Sequence, residues 1–352
     1  MANIDIGQIA ERIRGYGGPP VKLMEVCGTH TQAVFRTGIR GMLPPSIQLL
    51  SGPGCPVCVT PAGYLDRAAE LSKEPDTVLC TFGDMLRVPG NFGTLLEAKA
   101  AGGDVRMLYA PMTALDWAKA EPGREFVLTA VGFETTLPVY ALLVQRMRED
   151  NVKNLRLLVC AKALLPALEW ICENNPDIDG FIGPGHVSAI LGSDAYLALC
   201  ARRRIPLAVA GFSYEHILAA IYDLLEQHKN GTAQVRNLYP GTVTKEGNPS
   251  ALALIGNCFI KTGSVWRGLG GIEGSAYALK EEYREYDAGA YDTVRDASPK
   301  TGCLCGRVII GRAQPADCPH FRKACTPMTP LGPCMVTGEG ACGIWHANAA
   351  NA

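Results

Sequence analysis

No stretch of this chain is apolar for long enough to cross a bilayer. The run from Phe126 to Phe133 meets Glu134 at once, whereas a spanning helix needs about 20 apolar residues. The opening Met1-Ala2-Asn3-Ile4-Asp5 lacks both the basic start and the apolar stretch of a secretory signal, so the expected compartment is the cytoplasm. Net charge is almost absent: 33 Lys and Arg stand against 34 Asp and Glu, a balance of −1. No basic surface argues for nucleic acid or for an anionic membrane. The phosphate-cradling G-x-x-x-x-G-K-[ST] is missing, which excludes P-loop hydrolysis. The dinucleotide fingerprint G-x-G-x-x-G and the C-x3-C-x2-C triplet of radical-SAM enzymes are missing too.

Cysteine, by contrast, is abundant. The 352 residues include 14 Cys, a count that in a reducing compartment points to metal or redox work rather than to structural disulfides. Cys80, Cys160, Cys172, Cys200 and Cys258 sit inside apolar strands or helices and read as small core residues. The others lie in loops. Gly52-Pro53-Gly54-Cys55-Pro56-Val57-Cys58-Val59-Thr60-Pro61 is a Gly/Pro-shaped loop with two thiols. It lies between the strand Ile47–Leu50 and a helix opening at Pro61, capped by Thr60. A helix N-terminus favours thiolate, the nucleophilic and metal-binding form, so a lowered thiol pKa is expected here.

The chain alternates strands and helices. Strands are expected near 21–26, 47–50, 77–82, 105–109, 125–132, 155–160, 179–182 and 206–210, with helices between them. That is an α/β fold with largely parallel sheets. Glu121-Pro122-Gly123 reads as a boundary, which gives an α/β domain over 1–120, a second over 121–265 and a small irregular C-terminal module over 266–352. Within that module, 265–274 is Gly-rich and Tyr277 to Tyr286 reads as a charged helix. An apolar strand, a Gly and polar residues opening a helix recur at Val26-Cys27-Gly28-Thr29-His30, at Val131-Gly132-Phe133-Glu134-Thr135 and at Ala210-Gly211-Phe212-Ser213. Ligands of open α/β sheets bind beyond the carboxyl ends of strands. Cys27, Glu134, Thr135 and the Cys55/Cys58 loop are therefore expected to face one cleft between the domains, with Ser213 a simple helix cap. Cys27 and His30 offer a thiol and an imidazole in one turn. Phe181-Ile182-Gly183-Pro184-Gly185-His186 ends another strand with an imidazole at its tip.

From Pro299 onward, periodicity fades, and six cysteines crowd into Cys303 to Cys342. A segment of that kind needs something to hold it. Four thiolates hold either zinc or an iron–sulfur cluster, and the irregular gaps favour the cluster. Cys318, Cys325, Cys334 and Cys342 form one evenly spread quartet, which leaves Cys303 and Cys305 as a nearby dithiol. The choice of four from six stays open.

Together, Cys27-Gly28-Thr29-His30-Thr31, Gly52 to Cys58, Thr81-Phe82-Gly83-Asp84-Met85-Leu86-Arg87-Val88-Pro89-Gly90, Gly132-Phe133-Glu134-Thr135-Thr136, Gly183 to Ser188 and Gly332 to Cys342 resemble the hydrogenase maturation factor HypD family, over nearly the whole chain. The resemblance implies an assembly scaffold with redox activity rather than a conventional turnover enzyme. On it, with a small HypC-like partner and a HypE-like cyanide donor, an iron carrying two cyanides and one carbon monoxide is built for the large subunit of a nickel–iron hydrogenase. It implies that Cys27 ligates that iron together with a partner cysteine, that Cys55 and Cys58 are a redox pair, and that C-terminal cysteines hold a [4Fe–4S] cluster. The residues by themselves also suit an iron–sulfur thiol/disulfide reductase, which leaves Cys27 and His30 without a task, or a zinc-stabilised binding protein.

Overall fold

A computed structural model describes residues 5–175, 177–289 and 302–348 of the chain. Met1 to Ile4, which carry part of the leader reading, and Pro299, from which the irregular segment is reckoned, lie outside them. The strands are β1 (Val21–Glu25), β2 (Ile47–Ser51), β3 (Thr77–Thr81), β4 (Val105–Met107), β5 (Glu125–Gly132), β6 (Leu155–Lys162), β7 (Gly180–Pro184), β8 (Leu207–Ala210), β9 (Val235–Asn237), β10 (Phe259–Trp266) and β11 (Gly270–Leu279). Helices connect most of them, giving the expected α/β class. Strands such as β5 and β6 are buried for most of their length on both faces, as parallel strands covered by helices on each side must be.

Two sheets form. The first runs β2-β1-β7-β8-β9 and is wholly parallel. The second runs β10-β11-β6-β5-β3-β4, parallel from β6 to β4 and antiparallel at the β10–β11 edge. The consecutive division at 120/121 and 265/266 does not describe this pairing. β1 and β2 join β7, β8 and β9, while β3 to β6 build the other sheet in between. β1 pairs with β2 on one side and β7 on the other, so its partners come from both ends of the chain. Glu121 lies in the turn before β5, held by Arg106 and Arg124.

The stretch from 265 also differs from expectation. The Gly-rich run is part of the β10–β11 hairpin, and Tyr277 lies in β11; only Glu281–Tyr286 is helical, as a 3-10 turn. Glycines had masked a strand, because a strand with few side chains shows no alternation. Ser213 does cap the helix Tyr214–Lys229, its hydroxyl accepting from the His216 N–H at 3.3 Å. Among the described residues, no helix is long and apolar enough to cross a membrane.

The cysteine-rich segment 302–348 consists of short turns and two small helices, Cys305–Ile309 and Ala341–Ala347. It folds back over the carboxyl ends of the strands. Arg87 donates to the carbonyls of Pro327 and Val336, at 3.2 and 3.4 Å, and Asn175 donates to that of Ile310 at 2.6 Å. The helix Ala341–Ala347 packs on the helix Gly28–Arg36, where Trp345 meets Phe35 edge-on at 5.2 Å.

Candidate functional site

Because the first sheet is parallel, β1, β2, β7 and β8 all discharge at one edge. There they deliver Cys27, the Gly52–Cys58 loop, His186 and Phe212. β5 brings Glu134 from the second sheet. Tyr196 interacts with both Glu134 and Cys27, which links the ends of strands far apart in the chain.

Two glycines make the approach close enough. A Cβ on Gly54 would lie 2.4 Å from Cys27 Cα, and one on Gly28 would lie 2.3 Å from the Glu339 carbonyl oxygen. The loop carrying Cys55, the turn carrying Cys27 and the segment carrying Cys334 and Cys342 thus stack backbone on backbone. Gly54→Ala must push Cys27 away. We expect it to cost about 1–3 kcal/mol of stability, read as a lower denaturation midpoint, together with faster alkylation of Cys27. An unchanged midpoint and unchanged alkylation would contradict the contact.

Cys27 caps the helix Gly28–Arg36 and is 8% exposed. Burial pushes its pKa up, against the Thr29 hydroxyl and the N–H groups of Thr29 and His30, which favour thiolate; the Glu339 carboxylate adds to the rise. Cys55 caps the single turn Pro56–Val59, its sulfur accepting from the Cys58 N–H at 3.2 Å. The Cys58 thiol donates to Cys55 Sγ at 2.6 Å. Burial pushes both thiols up, Cys58 well above the ordinary value. The lowered pKa expected from the helix after the loop is therefore absent: that helix runs Ala62–Leu71 with Pro61, not Thr60, at its cap position, the cysteines sit on a separate single turn with a weak dipole, and both sulfurs are shut away from water.

His30 is fully buried. Its Nε2 faces the carbonyl oxygens of Ala210 and Gly211 at 3.1 and 3.0 Å. Two acceptors require an N–H there, so Nδ1 carries the lone pair. Burial lowers the pKa to about 4, which leaves the ring neutral. The His30 ring thus ties its helix to the end of β8, and only the residue's backbone N–H bonds to Cys27. Phe212 stacks between His30 and the exposed His186, at 4.7 and 4.2 Å.

Glu134 is buried, with Oε1 accepting from the Leu164 N–H at 3.0 Å and Oε2 without a hydrogen bond. Burial raises its pKa from 4.5 to about 7. Between those values the unfolded chain releases a proton that the folded chain keeps, so stability falls as pH rises through that window and levels off above it. Glu134→Gln keeps the Leu164 bond and removes the titration. Its stability relative to the parent should grow by about 3 kcal/mol between pH 4.5 and 8, measured by denaturant unfolding. A gap that does not change with pH would show a carboxyl that ionises normally.

Six thiols, of Cys303, Cys305, Cys318, Cys325, Cys334 and Cys342, line one pocket of sulfur and carbon surface with Val308, Phe321 and Met335. Gly332 completes the cradle: a Cβ there would sit 2.9 Å from Cys303 Sγ. Among the described residues, no three His, Cys, Asp or Glu groups stand close enough to hold a single metal ion. Thiols spread round a dry pocket fit the wider reach of a cluster. They are not equivalent. Cys334 lies with Cys305, the two sulfurs 2.6 Å apart, and its turn Pro333–Met335 packs on the turn Pro56–Val59 that carries Cys58. Cys303 feels Cys305, Cys318 and Cys325, and Cys342 feels Cys305, Cys303, Cys325 and Cys318. The close Cys305–Cys334 pair sets two of the six apart, so a quartet of Cys303, Cys318, Cys325 and Cys342 stands as a candidate beside that of Cys318, Cys325, Cys334 and Cys342. Spacing could not reveal this, because 29 residues separate Cys305 from Cys334. Tyr196 and Glu339, both close enough to interact with Cys27, carry no local signal either.

The sequence profile HypD, described as the Hydrogenase formation hypA family, matches residues 5–349. The hydrogenase maturation factor HypD of Azotobacter vinelandii is 42% identical over 353 residues, covering 97% of this chain and 93% of the relative. That of Escherichia coli (strain K12) is 41% identical over 335 residues, covering 93% and 89%. A putative hydrogenase expression/formation protein of Methanocaldococcus jannaschii is 37% identical over 343 residues, covering 97% and 94%.

Proposed function

The chain belongs to the HypD family of hydrogenase maturation factors, and from that premise we propose that it is the cytoplasmic scaffold on which an iron bearing two cyanides and one carbon monoxide is assembled. The iron is cargo. Cys27, at the end of β1, is its ligand on this chain, and a HypC-like partner supplies a second thiolate, since soft, low-spin iron favours sulfur. A HypE-like partner supplies cyanide, and the hydrogenase large subunit receives the finished unit.

The observation that carries the reading is the run of thiols Cys55, Cys58, Cys334 and Cys305: the first two and the last two are in contact, and the turns carrying Cys58 and Cys334 pack on each other. It leads from the C-terminal pocket to the loop beside Cys27. We assign Cys303, Cys318, Cys325 and Cys342 to a [4Fe–4S] cluster. Bound there, the cluster supplies electrons one at a time. The chain's own residues perform the two-electron step by thiol–disulfide exchange. Cys334 sulfur attacks Cys58 of a Cys55–Cys58 disulfide, and Cys55 leaves and takes the proton that Cys334 gives up. Cys305 then attacks Cys334, and its proton goes to Cys58. One disulfide opens, one closes, and no proton enters or leaves. Burial keeps the resting thiols neutral and holds water away from the sulfurs.

The test is anaerobic protein produced with the small partner, assayed for iron, sulfide and infrared absorption. Cyanide and carbonyl stretches are the expected result. Iron and sulfide without those bands would leave an iron–sulfur thiol/disulfide reductase, and stoichiometric zinc without sulfide would remove both readings.

A further inference from the structure

Arg40 is a cation enclosed among aromatic and backbone groups. Its side chain is 17% exposed. The guanidinium carbon lies 5.1 Å from the Phe35 ring centre and 4.7 Å from that of Trp345. Nη2 donates to the Leu49 carbonyl at 3.2 Å, and the same nitrogen is 3.9 Å from Oε1 of the fully buried Glu25. That last distance is too long for a hydrogen bond, so Glu25 acts by charge. Enclosing a guanidinium costs several kcal/mol unless its partners offset it. Here the offset comes from one carboxylate, two ring faces and a carbonyl, a set that only a flat, always-charged fork meets at once.

The four partners lie on segments that carry three of the thiols. Glu25 precedes Cys27 by two residues. Leu49 is in β2, which runs into the Cys55 loop. Phe35 is in the helix that Cys27 caps, and Trp345 follows Cys342 by three residues. The helix carrying Trp345 packs on the 3-10 turn Pro333–Met335, and that turn packs on Pro56–Val59. We propose that Arg40 is a positioning residue for the thiol relay: it keys β1, β2 and the helix Ala341–Ala347 together so that Cys58 and Cys334 meet. This deepens the reading above and rests on it.

The test uses the full chain, prepared without iron, carrying Cys55→Ser and Cys305→Ser. Oxidised glutathione takes the electron pair and both protons as Cys58 and Cys334 join, and peptide mass analysis gives the rate. Arg40→Met is expected to slow joining at least tenfold, with alkylation of Cys80, a wholly buried core thiol, unchanged. Arg40→Lys keeps the charge without the fork and should recover part of the rate. Trp345→Leu should slow joining as well, and the double variant should be no slower than the worse single one, as expected of residues acting as a unit. An unchanged rate in Arg40→Met, multiplying losses in the double variant, or Cys80 alkylation rising with the loss would each overturn the proposal. If Arg40→Met does not fold, Arg40→Lys and Trp345→Leu decide it by the same measure. Failure of the scaffold reading shows separately, as missing cyanide and carbonyl bands in the unmodified chain.

Discussion

Cys27→Ala, produced with the small partner, is expected to retain its fold and its iron–sulfur content yet to show no cyanide or carbonyl infrared bands. The sulfur is the only atom lost, and Ala adopts the extended φ of −148° and ψ of 127° without strain. The contacts that hold the turn are backbone ones: the Gly28 N–H to the Gly54 carbonyl at 3.4 Å, and the His30 N–H to the Cys27 carbonyl at 3.0 Å. Removing one buried sulfur costs about 1 kcal/mol, too little to unfold a chain with these cores. The C-terminal pocket contains no part of Cys27, so its thiols remain. What disappears is the thiolate at the mouth of the site, and with it the place where the cargo iron is held. Bands of parent intensity would move the iron to Cys55 or Cys58.

Two substitutions in the C-terminal pocket should part company. Cys342→Ala removes a member of the proposed quartet and should lose the cluster, with sulfide falling to background. Cys334→Ser should keep about four iron and four sulfide per chain but stop exchange between the Cys305–Cys334 and Cys55–Cys58 pairs, read by thiol labelling in a graded redox buffer. The asymmetry follows from position: Cys334 touches Cys305 and sits on the turn that packs against Cys58's turn, whereas Cys342 interacts with Cys305, Cys303, Cys325 and Cys318 inside the pocket. Sulfide lost from Cys334→Ser and kept in Cys303→Ser would restore the quartet of Cys318, Cys325, Cys334 and Cys342.

Much of this was legible in the residues. An apolar strand followed by Gly and polar residues is a local signal, and it located the ends of β1, β5 and β8 and the side chains they deliver. Partner choice is not local. β1 looks the same whether β2 alone pairs with it or β7 flanks it as well, so the interleaving of the two sheets cannot be read from the chain in order. The thiol pKa failed for a related reason: a helix N-terminus is visible in sequence, whereas the burial that overrides it is made by segments brought in from elsewhere. Arg40 and Glu339 look like surface charges until the helix Ala341–Ala347 and the turn before it are laid over the first sheet.

The interleaving has a consequence for the ribosome. Cys27, Cys55 and Cys58 leave the exit tunnel with β1 and β2, but β7, which flanks β1, ends only at Pro184. At about 5–20 residues per second, the three thiols wait about 6 to 31 s before their sheet can close. Two strands alone are marginal in water, so during that interval the cysteines are open to passing metals and oxidants. The cover from Pro333–Met335 and Ala341–Ala347 arrives last of all. A nascent chain stalled before residue 180 should therefore carry reactive thiols that the finished protein hides, and its yield should depend on how reducing the cell is during synthesis.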